Sequence, residues 1–378
     1  MRIVHVSDCY PPRLGGIETQ VRALASRQGA AGHDVHVITA TPASTGPTAG
    51  RSGTERLDGV TVHRVVAGLP FDLPVHPRVV PEVRALLGPG GLAAGADAVH
   101  VHGGVVSPFA YPAAQLAAGL GLPTVATIHG VWGPLMGPVA GLADRLAHWS
   151  AWRVLVTAVS EAAAGPIRAA APGLAVRILP NGIDAAAWAV PHQPAAAGTV
   201  RLLAVMRLAP RKRGVPLLRA FARAAARVGR ERRLELTVVG EGPARPLLAG
   251  YADRLGVADR VRFTGRVGPA QVREELARAD AFVAPGRRES FGIAALEART
   301  AGVPVIALEG TGVTSFVQDG VAGLLAADDN QLVDAVVRIT LDDQLRARIA
   351  GHNREVAPEQ DWSNVLPLVE SYYRLATG

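Results

Sequence analysis

Arg287-Arg-Glu-Ser-Phe-Gly-Ile-Ala-Ala-Leu-Glu-Ala-Arg-Thr-Ala-Gly-Val-Pro-Val-Ile306 is the stretch around which the chain is organised. The apolar run before it, Ala281-Phe-Val-Ala-Pro285, reads as a buried strand stopped by a proline. A charged loop follows, then a helix predicted to begin near Phe291 with Ser290 as its N-cap. Glu289 stands just ahead of that helix, Glu297 lies two turns inside it, and Gly302-Val-Pro-Val-Ile-Ala307 opens the next strand. A strand thus delivers a carboxylate beside a helix N-terminus, whose first backbone N–H groups have no intrahelical partner. Those N–H groups suit an anion and the carboxylate suits hydroxyls. A sugar carried on a diphosphate offers both.

Outward from this stretch, strand and helix patterns alternate along the chain. In the first half, strands are expected at 3–6, 35–39, 60–66, 97–102, 124–129, 153–159 and 175–179. Helices are expected at 17–31, with Gly32 as the stop, and at 81–87, 111–120 and 142–152. Residues 42–56, rich in Pro, Ser, Thr and Gly, read as a surface loop, and 191–198 have linker composition. A second series has strands at 200–205, 234–239, 261–263, 281–284 and 303–307, and a last helix from Trp362. This order predicts an α/β chain of two facing Rossmann-like, doubly wound domains with an interdomain cleft, 1–190 and 199–360.

Composition agrees with a folded two-domain chain. A length of 378 residues allows two cores, and 49% hydrophobic with 19% charged residues excludes a disordered chain. The net charge of +7 lies mostly in the second half, where residues 207–213 are followed by Arg219, Arg223, Arg227, Arg230, Arg232 and Arg233. With no aromatic interleaving or reader motif, this reads as a solvated helix face, and no nucleic-acid partner is expected. The single cysteine, Cys9, excludes an internal disulfide. The first residues enter a strand pattern with no apolar leader, and no apolar run is long enough to span a bilayer, so a cytoplasmic, at most peripheral, protein is expected.

Several further residues can carry chemistry. Gly15-Gly16 precede a helix and would let a phosphate approach the backbone, although a plain turn explains them equally. Neither G-x-G-x-x-G nor a Walker lysine loop is present. Arg207 and Lys212 follow the strand ending at Val205-Met206, where fixed cations suit a departing diphosphate; alone they read as surface charge, and beside Glu289 they complete a site. His129 closes a strand at its carboxyl end, where open α/β sheets place ligands, and a neutral imidazole there can bond a hydroxyl. His100 and His102 share a strand face; with His129 they suggest a metal, but no carboxylate completes the set, and the stronger reading is structural. There is no D-x-D pair, no G-x-S-x-G elbow and no cysteine placed as a nucleophile. Glu289 and Glu297 share one loop–helix segment, unlike the opposed carboxylates of glycoside hydrolases.

Together these motifs resemble the family four retaining glycosyltransferases of the two-Rossmann-domain (GT-B) type, over nearly the whole chain. The most specific match is Glu289-Ser-Phe-Gly-Ile-Ala-Ala-Leu-Glu297, which is similar to the family's E-x7-E signature. Gly15-Gly-Ile-Glu18, Pro180-Asn-Gly-Ile-Asp184, Arg207 with Lys212, Val238-Val-Gly-Glu-Gly-Pro243 and Phe263-Thr-Gly265 support it in order. The resemblance implies an acceptor-side first domain, a donor-side second domain and a helix at 361–378 that crosses back to the first. It implies that Gly15 and Gly16 approach the donor diphosphate while Arg207 and Lys212 clamp it. Glu289 would hold the sugar hydroxyls beside the backbone of Ser290, Phe291, Gly292 and Ile293. Glu297 would hold the ribose, Arg266 and Val267 would meet the base, and His129 would contact the sugar. One departure stands out: where the family often has Gly-Gly-x-Pro-Glu, this chain reads Thr311-Gly-Val-Thr-Ser315, with Ser315 in place of the glutamate.

The implied reaction is transfer of a hexose from a UDP- or GDP-sugar to an acceptor hydroxyl, with retention and with no metal or other cofactor. Three readings follow. The acceptor is a small molecule or glycan intermediate; or the protein is a peripheral membrane enzyme making a glycolipid or lipid-linked polysaccharide; or it is a non-catalytic nucleotide-sugar binder. Trp132, Leu135, Met136, Leu142, Leu146, Trp149 and Trp152 would supply a membrane face in the second reading, and core packing explains them as well. The acceptor is expected at the loops near 42–56 and 68–80.

Overall fold

The computed structural model describes all residues except 14, 46–48, 68–78, 92, 134, 135 and 378, and for 142–147 the backbone alone. The chain divides into two compact units, Met1–Gly182 with Ser363–Gly378, and Ile183–Trp362.

The strands of the first unit are β1 (Arg2–Ser7), β2 (Asp34–Thr39), β3 (Gly53–Leu57), β4 (Val60–Arg64), β5 (Ala98–Gly103), β6 (Thr124–Ile128), β7 (Leu155–Ala158) and β8 (Val176–Ile178). They form one sheet in the order β3-β4-β2-β1-β5-β6-β7-β8, parallel except where β3 runs antiparallel to β4. A parallel sheet is covered on both faces, so its strands read as continuous apolar runs. β5 is buried along its whole length, and β1 is buried from Ile3 onward. Both nevertheless carry histidines, which at such depth need partners.

The second unit holds β9 (Thr199–Val205), β10 (Arg233–Val239), β11 (Val261–Gly265), β12 (Ala281–Ala284), β13 (Val305–Leu308) and β14 (Gly323–Ala326). Their order is β11-β10-β9-β12-β13-β14, all parallel. The helix Gly214–Val228 buries Leu217, Leu218, Phe221, Ala224, Ala225 and Val228 at helical spacing. Its basic face is paired: Arg219 donates to the Tyr251 hydroxyl, Arg223 to Asn330 and Arg227 to Asp334.

Both sheets reverse direction at the first strand of their unit. β1 lies between β2 and β5, and β9 lies between β10 and β12. Loops leaving the carboxyl ends of strands at such a point diverge and leave room for a ligand. The chain passes between units twice. Those passages are bonded together, Ile183 N–H to Gln360 O and Trp362 N–H to Ile183 O, both 2.9 Å.

Two expectations need correction. Residues 42–56 are not all loop, because 53–57 form the edge strand β3, whose alternating partly exposed residues hide it from an apolar search. The helix expected at 142–152 runs instead from Met136 to Ala147, and His148, at φ 48° and ψ 40°, separates it from a short turn at Trp149–Ala151. Among the described residues no helix is long and apolar enough to cross a membrane.

Candidate functional site

The loop after β12 spans 285–292, and the helix behind it is Ile293–Thr300. This corrects the expected start near Phe291: Gly292, at φ 93°, directly precedes the helix, and Ser290 lies too early to cap it. Phe291 is the cause. Its ring is buried against Phe316, centroids 5.4 Å apart, and the left-handed turn at Gly292 lets the chain seat that ring and still enter the helix. The 3-10 turn Gly312–Ser315 backs the loop. Gly312 N–H donates to Glu289 O at 2.7 Å, and a Cβ at Gly312 would fall 2.1 Å from Ser290 O. Ser315 turns its hydroxyl onto Gly312 O of its own turn, at 2.5 Å.

β9 adjoins β12, and its loop brings the cations. Lys212 closes the 3-10 turn Pro210–Lys212, and its Nζ donates to Glu289 Oε2 at 2.8 Å, with 28% and 24% of the two side chains exposed. Such partial burial lets the pair hold each other without being locked away from a ligand. The next residue, Arg213, laces the two loops together, donating from Nη1 to Pro285 O (3.1 Å) and from Nη2 to Asp329 Oδ2 (2.6 Å). Burial alone would raise the Asp329 carboxyl, but the Arg213 hydrogen bond and the charges of Arg213 and Arg287 outweigh it and leave it lowered. Sequence reasoning missed both Arg213 and Asp329, because neither belongs to a motif and their meeting depends on the fold. Arg207 is exposed in the same β9 loop. Arg266, exposed, and Val267, half-buried, follow β11, two strands from β9 along the sheet.

Glu297 occupies the second turn of Ile293–Thr300. It keeps part of its surface, yet its carboxyl is packed round closely enough that desolvation pushes it up to about 8. At neutral pH it is largely a neutral acid.

In the first unit, Gly15 and Gly16 are exposed at the start of the helix Gly16–Ala30. Glu18 folds back over them: a Cβ on Gly15 would lie 2.4 Å from Glu18 Oε2, and Arg13 Nε stands 3.7 Å from the same carboxylate. The helix start, which favours negative charge, is already lined by an acid. His129 follows β6, with its N–H on Gly103 O at 2.8 Å. Its Nε2 lies 3.2 Å from His102 Nδ1, and Asn181 is its other side-chain partner. Burial pushes the imidazole down to about 4 against the raising effect of Asn181, so it is neutral at neutral pH. The histidines that cluster are His5, His100 and His102, with ligand nitrogens within 4.8 Å of one another, so His5 takes the place assigned to His129 in the metal reading. His5 was legible only through register, since it faces His100 across β1 and β5.

Trp132 and Trp149 pack edge to face at 6.1 Å, and Trp149 Nε1 donates to Ala140 O at 3.1 Å. Leu135 and the side chains of Leu142 and Leu146, named for the same face, lie outside the described residues, as does most of the expected acceptor loop, 68–78.

Comparison with known proteins gives a consistent result. The family model described as Glycosyltransferase Family 4 matches residues 14–187, and that described as Glycosyl transferases group 1 matches 192–356. A glycogen synthase of Mycobacterium tuberculosis is 33% identical, covering 100% of this chain and 95% of its own length. A D-inositol 3-phosphate glycosyltransferase of Acidothermus cellulolyticus is 31% identical, over 99% of this chain and 89% of its own. Among solved structures, Anabaena HepE in complex with UDP and glucose superposes with a TM-score of 0.74 at 19% identity, covering 98% of each chain. That likeness is one of fold, two Rossmann-like domains of the GT-B type.

Proposed function

The chain belongs to the family 4 glycosyltransferases, and from that premise we propose a retaining, metal-independent transfer of a hexose from a UDP- or GDP-sugar to a small-molecule or glycan hydroxyl. The observation that carries this reading is the Lys212–Glu289 pair at the reversal point of the second sheet. An ammonium and a carboxylate 2.8 Å apart are the two charges that a sugar diphosphate needs, one for the phosphate and one for the hydroxyls.

In this proposal the second unit, about 199–360, is the donor side and the first, about 1–190 with the helix at 361–378, is the acceptor side. Arg207 and Lys212 bind the diphosphate and stabilise the charge that grows on it as its bond to C1 breaks. Glu289 turns from Lys212 to the sugar hydroxyls, next to the backbone of Ser290, Phe291, Gly292 and Ile293. Glu297 binds the ribose, Arg266 and Val267 meet the base, and Gly15, Gly16 and His129 contact the donor from the first unit. The acceptor oxygen forms its bond to C1 on the face the phosphate leaves, and its proton passes to the departing phosphate oxygen. Such a path needs no protein nucleophile. UDP in the HepE complex supports a uridine donor.

Lys212→Ala tests the leaving-group role. Turnover of the nucleotide sugar should fall about 100-fold or more, in the range for removing one preorganised charge-stabilising donor. Unchanged turnover in a folded Lys212→Ala protein contradicts it.

A further inference from the structure

The second unit holds a cavity of about 420 Å3 among the helices Gly214–Val228, Arg245–Arg254 and Asp329–Leu341. Small-molecule sites begin at about 300 Å3, so a small ligand has room there. The apolar floor includes Pro216, Ala220, Leu255 and Val333, and the polar walls are Arg219, Arg223, Tyr251 and Asp329. Pro216, Arg219 and Arg223, at i, i+3 and i+7, share one face of the first of these helices.

Two guanidiniums are held at the walls by groups that are not acids. Arg219 Nε donates to the Tyr251 hydroxyl (2.5 Å), with its Cζ 5.5 Å from the ring centre. Arg223 Nη1 donates to Asn330 Oδ1 (2.9 Å). A third arginine, Arg254, stands 5.8 Å from the same Tyr251 ring and donates from Nε to Gly250 O (3.2 Å). Among the described residues none of these three meets a carboxylate at ion-pair distance, whereas Arg227, Arg232 and Arg262 meet Asp334, Asp343 and Glu275. The cavity's own acid, Asp329, already faces Arg213 (2.6 Å) and Arg287 (3.4 Å). Positive charge is therefore left unmatched at the cavity.

A solvated helix face accounts for arginines that sample many rotamers in water. It accounts less well for two guanidiniums fixed beside a cavity, because fixing so long a side chain costs entropy. An arginine carries five N–H donors, and each of these two uses one, so both keep donors for an anion. A carboxylate would bring a single charge to three cations. A phosphate monoester brings about two, with three strong acceptor oxygens. The apolar floor suits the body that carries the phosphate.

We propose that this cavity binds a phosphate monoester of a small apolar body, with Arg219 and Arg223 on the phosphate and Pro216, Ala220, Leu255 and Val333 under the body. Neither arginine has a part in the proposed sugar transfer, so failure of that reading leaves this site standing. The test is isothermal titration of the full chain with phenyl phosphate, inorganic phosphate and phenol. Wild type should bind phenyl phosphate with a Kd of about 1 mM or tighter, and each of the other two about tenfold more weakly. Arg219→Gln joined to Arg223→Gln should weaken phenyl phosphate about tenfold or more, the worth of one lost charge-assisted hydrogen bond. Both side chains are exposed, and Arg223→Gln alone serves if the double variant unfolds. Lys212→Ala should bind phenyl phosphate as wild type does, which separates this cavity from the proposed diphosphate site. The proposal is overturned by no saturable binding in wild type, by undiminished binding in the folded arginine variants, or by loss of binding in Lys212→Ala. Inorganic phosphate or phenol binding as tightly as phenyl phosphate overturns it too.

Discussion

Glu297 is an acid held against its preference, since desolvation lifts its carboxyl from 4.5 to about 8. Between those values the unfolded chain has released the proton and the folded chain still holds it, so stability falls as pH rises through the window. Glu297→Gln should therefore melt with the wild type near pH 4.5 and above it at pH 9, by ~2–4 °C for each kcal/mol recovered in a domain of this size. A melting difference independent of pH contradicts this. Glu289 and Glu297 stood out in the sequence through their spacing on one loop–helix segment, and Lys212 through its place after β9, where the structure sets its Nζ 2.8 Å from Glu289. His5, Arg213 and Asp329 were not. Each matters through a partner distant in sequence, Gln28 and His102 for His5, Pro285 and Asp329 for Arg213, and no local pattern announces such a meeting.

The loop of 285–292 owes its shape to what packs against it. Gly312→Ala would force the backbone at Ser290 to move, at a cost of about 1–3 kcal/mol for overpacking. Urea unfolding should record that loss, and an unshifted midpoint would show that the turn gives way freely. The misplaced helix start has the same origin, because burial of Phe291 and the turn at Gly292 override the capping preference of Ser290. β3 escaped notice because Gly53-Thr-Glu-Arg-Leu57 is a polar edge strand, marked by pairing and not by apolar content. β1 and β5 bring an opposite pH response. Their histidines, with His129, are neutral when folded and would take protons when unfolded, so this contribution is lost as pH falls from about 6.5 towards 4. His5→Phe should flatten part of that slope in urea midpoints measured across the range, and an unchanged slope would contradict it.

At the scale of the molecule, the double α/β alternation was plain in the sequence, since buried parallel strands and amphipathic helices leave different periods. Strand order was not, although it decides which loops meet: β9 beside β12 brings Lys212 to Glu289. A donor that binds only the folded chain should raise its melting temperature, with ~2.7 kcal/mol of stabilisation at 100 times its Kd. A panel of UDP- and GDP-sugars would then select the nucleotide. With that donor, 1H NMR of the anomeric signal during turnover in EDTA tests the central claim. The account predicts that a product with the donor's own anomeric configuration appears first, at a rate EDTA does not change. An inverted product, or turnover abolished by EDTA, contradicts it.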